Sequence, residues 1–183
     1  ILPRPADDKK VSADGDVTFV SSIKNFLKTF ATFFTKKAAV ISILFMLLYR
    51  LPEALLAKVC PLFLLDKTSA GGMGLTTAQL GFVQGTVGVI GLTIGGILGG
   101  VAAARGGLKK WLWPMVAAIS IPDSVYIYMS YVENVSFPVI NALIFLEQFG
   151  YGFGFTAYML FLIYYSRGES KTAHYAICTA FMA

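Results

Sequence analysis

The sequence predicts an all-α integral membrane protein, and three observations lead there. Of 183 residues, 56% are hydrophobic and 14% charged, with a mean hydropathy of +0.69, whereas soluble domains run nearer a quarter charged. Apolar runs at about 38–65, 77–104, 111–131 and 137–165 are each long enough to cross a bilayer core, and a further run starts near 172 and continues to 183. Basic residues sort to alternate connections. Lys24, Lys28, Lys36, Lys37, Arg105, Lys109, Lys110, Arg167 and Lys171 fall on one side of the expected spans and only Lys67 on the other. By the positive-inside rule, residues 1–37 and the loops 105–110 and 166–171 are expected to be cytoplasmic, and 66–76 and 132–136 to face out. Trp111, Trp113, Tyr131 and Tyr165 close span ends as interfacial anchors.

Taken in order, residues 1–20 carry two prolines, two lysines and four aspartates, the composition of a linker. In 21–37, Ile23, Phe26, Leu27, Phe30, Phe33 and Phe34 recur at steps of three and four, with Lys24, Lys28 and Thr32 off the stripe. That pattern predicts an amphipathic helix lying in the membrane interface, with Ser21 or Ser22 as N-cap. Residues 38–183 form the transmembrane part, its last run, 172–183, too short to span: a dozen helical residues cover about 18 Å of a core about 30 Å thick. With Ile1 opening inside a polar stretch, both ends are expected to be cut. Cys60 and Cys178 lie in apolar runs and read as free core thiols.

In the second span Gly81/Gly85 and Gly91/Gly95/Gly99 are spaced by four, which puts them on one half of a helix and predicts close backbone packing. Gln84 is the polar side chain on that half. The other signal is ionisable groups at bilayer depth, which are costly there and ordinarily face a partner or a cavity. Arg50 and Glu53 sit near the middle of 38–65, within about 60° of each other on a helix. Pro52 between them removes a backbone donor and is expected to kink or break the helix. Either the two charges form a structural ion pair, or they serve transport. Asp123 follows Pro122 in a span, and Glu147, Gly150, Tyr151, Gly154 and Tyr158 share a face, an acid and two phenols beside two gaps. Glu147 is a candidate proton carrier or, alternatively, a carboxyl bonded to a neighbouring helix. His174, near a span end, is given no role.

Several classes are excluded or disfavoured. The basic residues flank apolar runs, so the net charge of +5 does not indicate nucleic acid. With one histidine, no G-x-S-x-G and no metal-ligand spacing, no enzyme or metal site is expected. A channel would need pore-lining rings that this pattern lacks. Two classes stay open: a secondary transporter, and a membrane scaffold or receptor whose buried charges lock helices together.

The stretches LYRLPEALLAKVCPLFLLDK, TTAQLGFVQGTVGVIGLTIGGILGGVAAARGGLKK, FLEQFGYGFGFTAYMLFLIYYSRGES and KTAHYAICTAF resemble, in order from about residue 38 onward, the C-terminal half of AmpG-type muropeptide permeases. These belong to the peptide/acetyl-coenzyme-A transporter branch of the major facilitator superfamily. The most specific parts are the basic-then-acidic pair Arg50 and Glu53, the glycine run ending in a basic loop, and E-x-x-x-G-x-G-like spacing from Glu147. The family more often shows Lys-x-Gly-Asp where this chain has Arg50-Leu51-Pro52-Glu53. The resemblance implies five of the six helices of a C-terminal half-bundle, with 1–37 as the central linker and a missing N-terminal half as partner. It implies import of anhydromuropeptides across a bacterial inner membrane, powered by the proton gradient and no bound cofactor. Acetyl-coenzyme A, a small sugar or a peptide are the alternative solutes. Arg50, Glu53, Gln84, Asp123, Glu147 and Tyr151 are then the expected substrate and proton residues.

Overall fold

The computed structural model describes residues 19–132, 134–168 and 170–181, and among these the chain is helical with no strand. The order is α1 (Phe19–Phe34), α2 (Ala39–Leu65), a 3-10 turn (Thr68–Ala70), α3 (Thr77–Phe82), a π-helical turn (Val83–Gly88), α4 (Val89–Ser120), α5 (Ser124–Tyr131), α6 (Phe137–Ser166) and α7 (Lys171–Ala180). The expected linker 1–20 lies outside the described residues except for its last two.

Local chemistry sets the ends. Thr76 and Gln79 cap α3 reciprocally: the Gln79 amide N–H donates to Thr76 Oγ1 at 3.2 Å, and the Thr76 N–H to Gln79 Oε1 at 2.9 Å. α4 contains one non-helical residue, Gly107, at φ 72° and ψ 158°, a conformation that glycine adopts without the penalty of a Cβ. The expected 105–110 connection is thus reduced to a single-residue break. α1 already includes Ser21 and Ser22, so neither is its N-cap. Phe19 continues the three-and-four spacing of the stripe by another turn, and the helix extends with it. The stripe also divides. Phe33 is fully buried, edge-on to the rings of Tyr165 (5.6 Å) and His174 (5.7 Å), while Ile23, Leu27, Phe30 and Phe34 stay exposed. α2 continues as one helix through Pro52 and Pro61, where the sequence suggested a break.

Contact register shows how the rods run. Gly91, Gly95 and Gly99 of α4 lie against the backbone of Phe145, Phe149 and Phe153 in turn, so that leg runs parallel to α6. Beyond Gly107 the order inverts: Gly150 lies against Ala118, and Gly154 against Met115. α2 is antiparallel to α6, since Met46 meets Tyr158 and Arg50 meets Tyr151. Consecutive rods therefore alternate in direction. Lys36 Nζ donates to the carbonyls of Tyr165 (2.7 Å) and Arg167 (3.0 Å), bringing two basic segments to one end.

Two helical runs, Ala39–Leu65 and Thr77–Tyr131, are long and apolar enough to cross a membrane, and the second doubles back at Gly107. Along α2, Val40, Leu44, Leu47, Leu51, Leu55, Val59 and Leu62 form an exposed stripe. Ile90, Ile94, Ile97 and Val101 do the same on α4. Water would penalise apolar exteriors of this extent, and lipid would not.

Candidate functional site

α6 is the central rod, and two different surfaces meet it. On the α4 side glycines allow backbone-to-backbone approach. A Cβ on Gly95 would lie 2.1 Å from the Phe149 carbonyl oxygen, and one on Gly152 would lie 2.2 Å from that of Leu92. Gly91 and Gly99 belong to the same seam. Gly81 and Gly85 do not: nothing among the described residues lies within 4 Å of where their Cβ would be. The π-helical turn at 83–88 explains this, because an extra residue in a turn rotates the face before it by about 100° relative to the face after it.

On the α2 side the contacts are made by long polar side chains. Tyr49 Oη donates to the Gly154 carbonyl at 2.7 Å, and Tyr158 Oη to that of Met46 at 3.4 Å. Next to Tyr49 in α2, Arg50 Nη1 donates to Tyr151 Oη at 2.8 Å, and its guanidinium lies 5.8 Å from the Tyr151 ring centroid and 5.9 Å from that of Phe155, within cation–π range. Arg50 Nε is buried and has no hydrogen-bond partner.

Glu53 turns to other company. It is 8% exposed, and its Oε2 is buried without a donor. One carboxylate oxygen each from Glu53, Asp123 and Glu147 lies within 4.8 Å of the other two. They come from α2, from the turn between α4 and α5, and from α6. Glu147, 2% exposed, accepts from Gln148 Nε2 on both oxygens (3.1 and 3.0 Å) and more distantly from Tyr126 Oη (3.5 Å). A cavity of about 260 Å³ opens beside them, lined by Glu53, Cys60, Gln84, Tyr126, Glu147 and Gln148.

Of the residues singled out from sequence, Glu53, Asp123 and Glu147 therefore meet, Gln84 borders their cavity, and Arg50 with Tyr151 makes a neighbouring polar contact. The expected Arg50–Glu53 pair is not made. Among the described residues no carboxylate lies within ion-pairing distance of Arg50. Arg50 instead donates to Tyr151 on the antiparallel α6, and Glu53 lies beside Glu147, four residues earlier on that helix. Gly150 and Gly154 are not gaps in a cavity wall either, since residues 115–122 fill the space above them. Sequence reading passed over Tyr49, Tyr126 and Gln148. Tyr126 follows Asp123 by three, one helical turn, and Gln148 adjoins Glu147. Polar side chains so placed around an apolar-run carboxylate are the signal that pointed to them. His174 is buried and ties α7 to α1, its Nε2 3.2 Å from both Thr32 Oγ1 and the Thr29 carbonyl oxygen.

No family model matches the chain, and no solved structure matches it. A curated relative does. Over 164 residues, 90% of this chain, it is 23% identical to the protein named "Putative transporter AmpG 4" of Rickettsia conorii. The chain spans 38% of that relative's length. The likeness to a transporter and the apolar helices together describe a helical membrane protein similar to transporters.

Proposed function

We propose that the chain is the C-terminal part of a proton-coupled secondary transporter of the major facilitator type, importing cell-wall degradation products (anhydromuropeptides) across a bacterial inner membrane by alternating access. The observation that carries this reading is the meeting, where α2 and the α4–α5 turn face α6, of a guanidinium held by a phenol with three clustered carboxylates and a cavity. Ionisable groups in that position mark ion and substrate paths in membrane proteins, and substrate sites of secondary transporters lie near the midplane. In this reading Arg50 exchanges Tyr151 for an anionic group of the substrate. Glu53, Asp123 and Glu147 take up and release the driving proton, with Gln84 and Tyr151 at the cavity edge. Residues 1–37, 105–110 and 166–171 are placed on the cytoplasmic side by their lysines and arginines.

The test is uptake of radiolabelled anhydromuropeptide by right-side-out vesicles carrying the full-length protein. The expected result is accumulation that a protonophore collapses and that Arg50→Ala abolishes. Accumulation insensitive to the protonophore, or an Arg50→Ala variant that transports normally, overturns the reading.

A further inference from the structure

We infer that Glu53, Asp123 and Glu147 form a binding site for a hard metal cation. The inference deepens the functional reading above and rests on it for the site's role in coupling, though not for cation binding itself.

Geometry comes first. One oxygen from each carboxylate lies within 4.8 Å of the others. Oxygens that close together can share one cation, since metal–oxygen distances of about 2.4 Å put opposite ligands about 4.8 Å apart. Three oxygen donors select a hard cation over a thiophilic one.

The second observation is independent of the spacing. Glu53 is more than nine-tenths buried and borders the cavity, yet its Oε2 receives no hydrogen bond. A buried acceptor left without a donor is costly, and more so when it is charged. A bound cation supplies what is missing. The third concerns charge. The groups facing the cluster are Arg50, Cys60, Tyr126, Tyr151 and Gln148, and the one cation among them, Arg50, is directed at Tyr151. Gln148 holds both oxygens of Glu147 through its amide, as outer-sphere partners do when they orient a metal ligand. The adjoining cavity of about 260 Å³ gives an ion room to enter and waters room to complete its shell.

The experiment is equilibrium binding of radioactive sodium and, separately, calcium to purified full-length protein in lipid nanodiscs, with choline as the inert background. One of the two is expected to bind saturably and to be expelled on acidification. Glu147→Gln and Asp123→Asn, both isosteric, should each weaken binding by about ten- to a hundredfold while leaving the helical circular-dichroism spectrum intact. Absence of saturable binding of either ion, or binding that both variants leave unchanged, overturns the site, and the carboxyls then share protons only. Uptake assays on the same preparations separate the two readings. Proton-driven uptake without cation binding removes the cation site and keeps the transporter. Cation binding without uptake of any anhydromuropeptide does the reverse.

Discussion

The two faces of α6 are built from opposite materials. Against α4 the contact is glycine on backbone, with Gly91, Gly95 and Gly99 from one side and Gly152 from the other leaving no room for even a methyl group. Against α2 the contact is made by the ends of long side chains: Tyr49, Tyr158, Arg50 and the carboxylate cluster. A backbone seam depends on shape and cannot change partners without separating. Side-chain contacts of the second kind can exchange a phenol for a substrate group, or one carboxylate for another, while the helices stay close. In the proposed reading the α4–α6 pair is the scaffold and the α2–α6 pair is the working interface.

The largest expected effect comes from breaking the seam. Gly95→Leu would drive a side chain into the Phe149 carbonyl. It should destabilise the full-length protein by about 3 kcal/mol or more, seen as loss of the monodisperse peak in size-exclusion chromatography of detergent extracts. Gly85→Leu, made where the structure shows open space, should elute as the parent does, with stability changed by no more than about 0.5 kcal/mol. Equal damage from both would mean that the π-helical turn does not divide the glycine face.

On the working interface the effects should fall on uptake rather than on folding. Arg50→Lys keeps the charge but loses the planar stack on Tyr151 and Phe155. It should cost about ten- to a hundredfold in uptake, the equivalent of one hydrogen bond to a charged group. Because Arg50 donates to Tyr151 and not to Glu53, Arg50→Leu and Glu53→Leu should not rescue one another. The free-energy cost of the double variant, measured by thermal unfolding, should approach the sum of the single costs; a double variant more stable than either single one would restore the ion pair that the sequence suggested. Smallest of all, Tyr158→Phe removes only a long hydrogen bond to Met46 and should cost under about 1 kcal/mol in thermal unfolding.

How much of this was legible in the sequence depends on the distance over which each feature is determined. The helical character and the apolar runs are written locally in composition and hydropathy. So is the suspicion that falls on Arg50, Glu53, Asp123 and Glu147, each a charge in an apolar setting. Features set by three-dimensional register were not legible. Arg50 and Glu53 are neighbours on one helix, but what each meets is set by where Tyr151 and Glu147 fall on α6. Asp123 joins the cluster because the chain turns at 121–123 between α4 and α5, a position no periodicity reveals. Gly81 and Gly85 match Gly91 and Gly95 in spacing, and only the π-helical turn between them separates their faces. Pro52 looked like a helix breaker, yet α2 passes through it, as membrane helices tolerate when neighbouring groups and small local adjustments satisfy the backbone.

The division between scaffold and working interface can be measured directly. In full-length protein lacking Cys60 and Cys178, spin labels at the exposed positions Val59 and Ile163 report on α2 against α6. Labels at Ile97 and Val139, also exposed, report on α4 against α6. Distances would be taken by pulsed electron paramagnetic resonance in nanodiscs, with and without an anhydromuropeptide and acidification. The account predicts a narrow α4–α6 distance that does not move, and an α2–α6 distribution that shifts when ligand or protons are added. An α4–α6 distance that shifts as far as the α2–α6 one, or an α2–α6 distance that stays fixed under every condition, would contradict it.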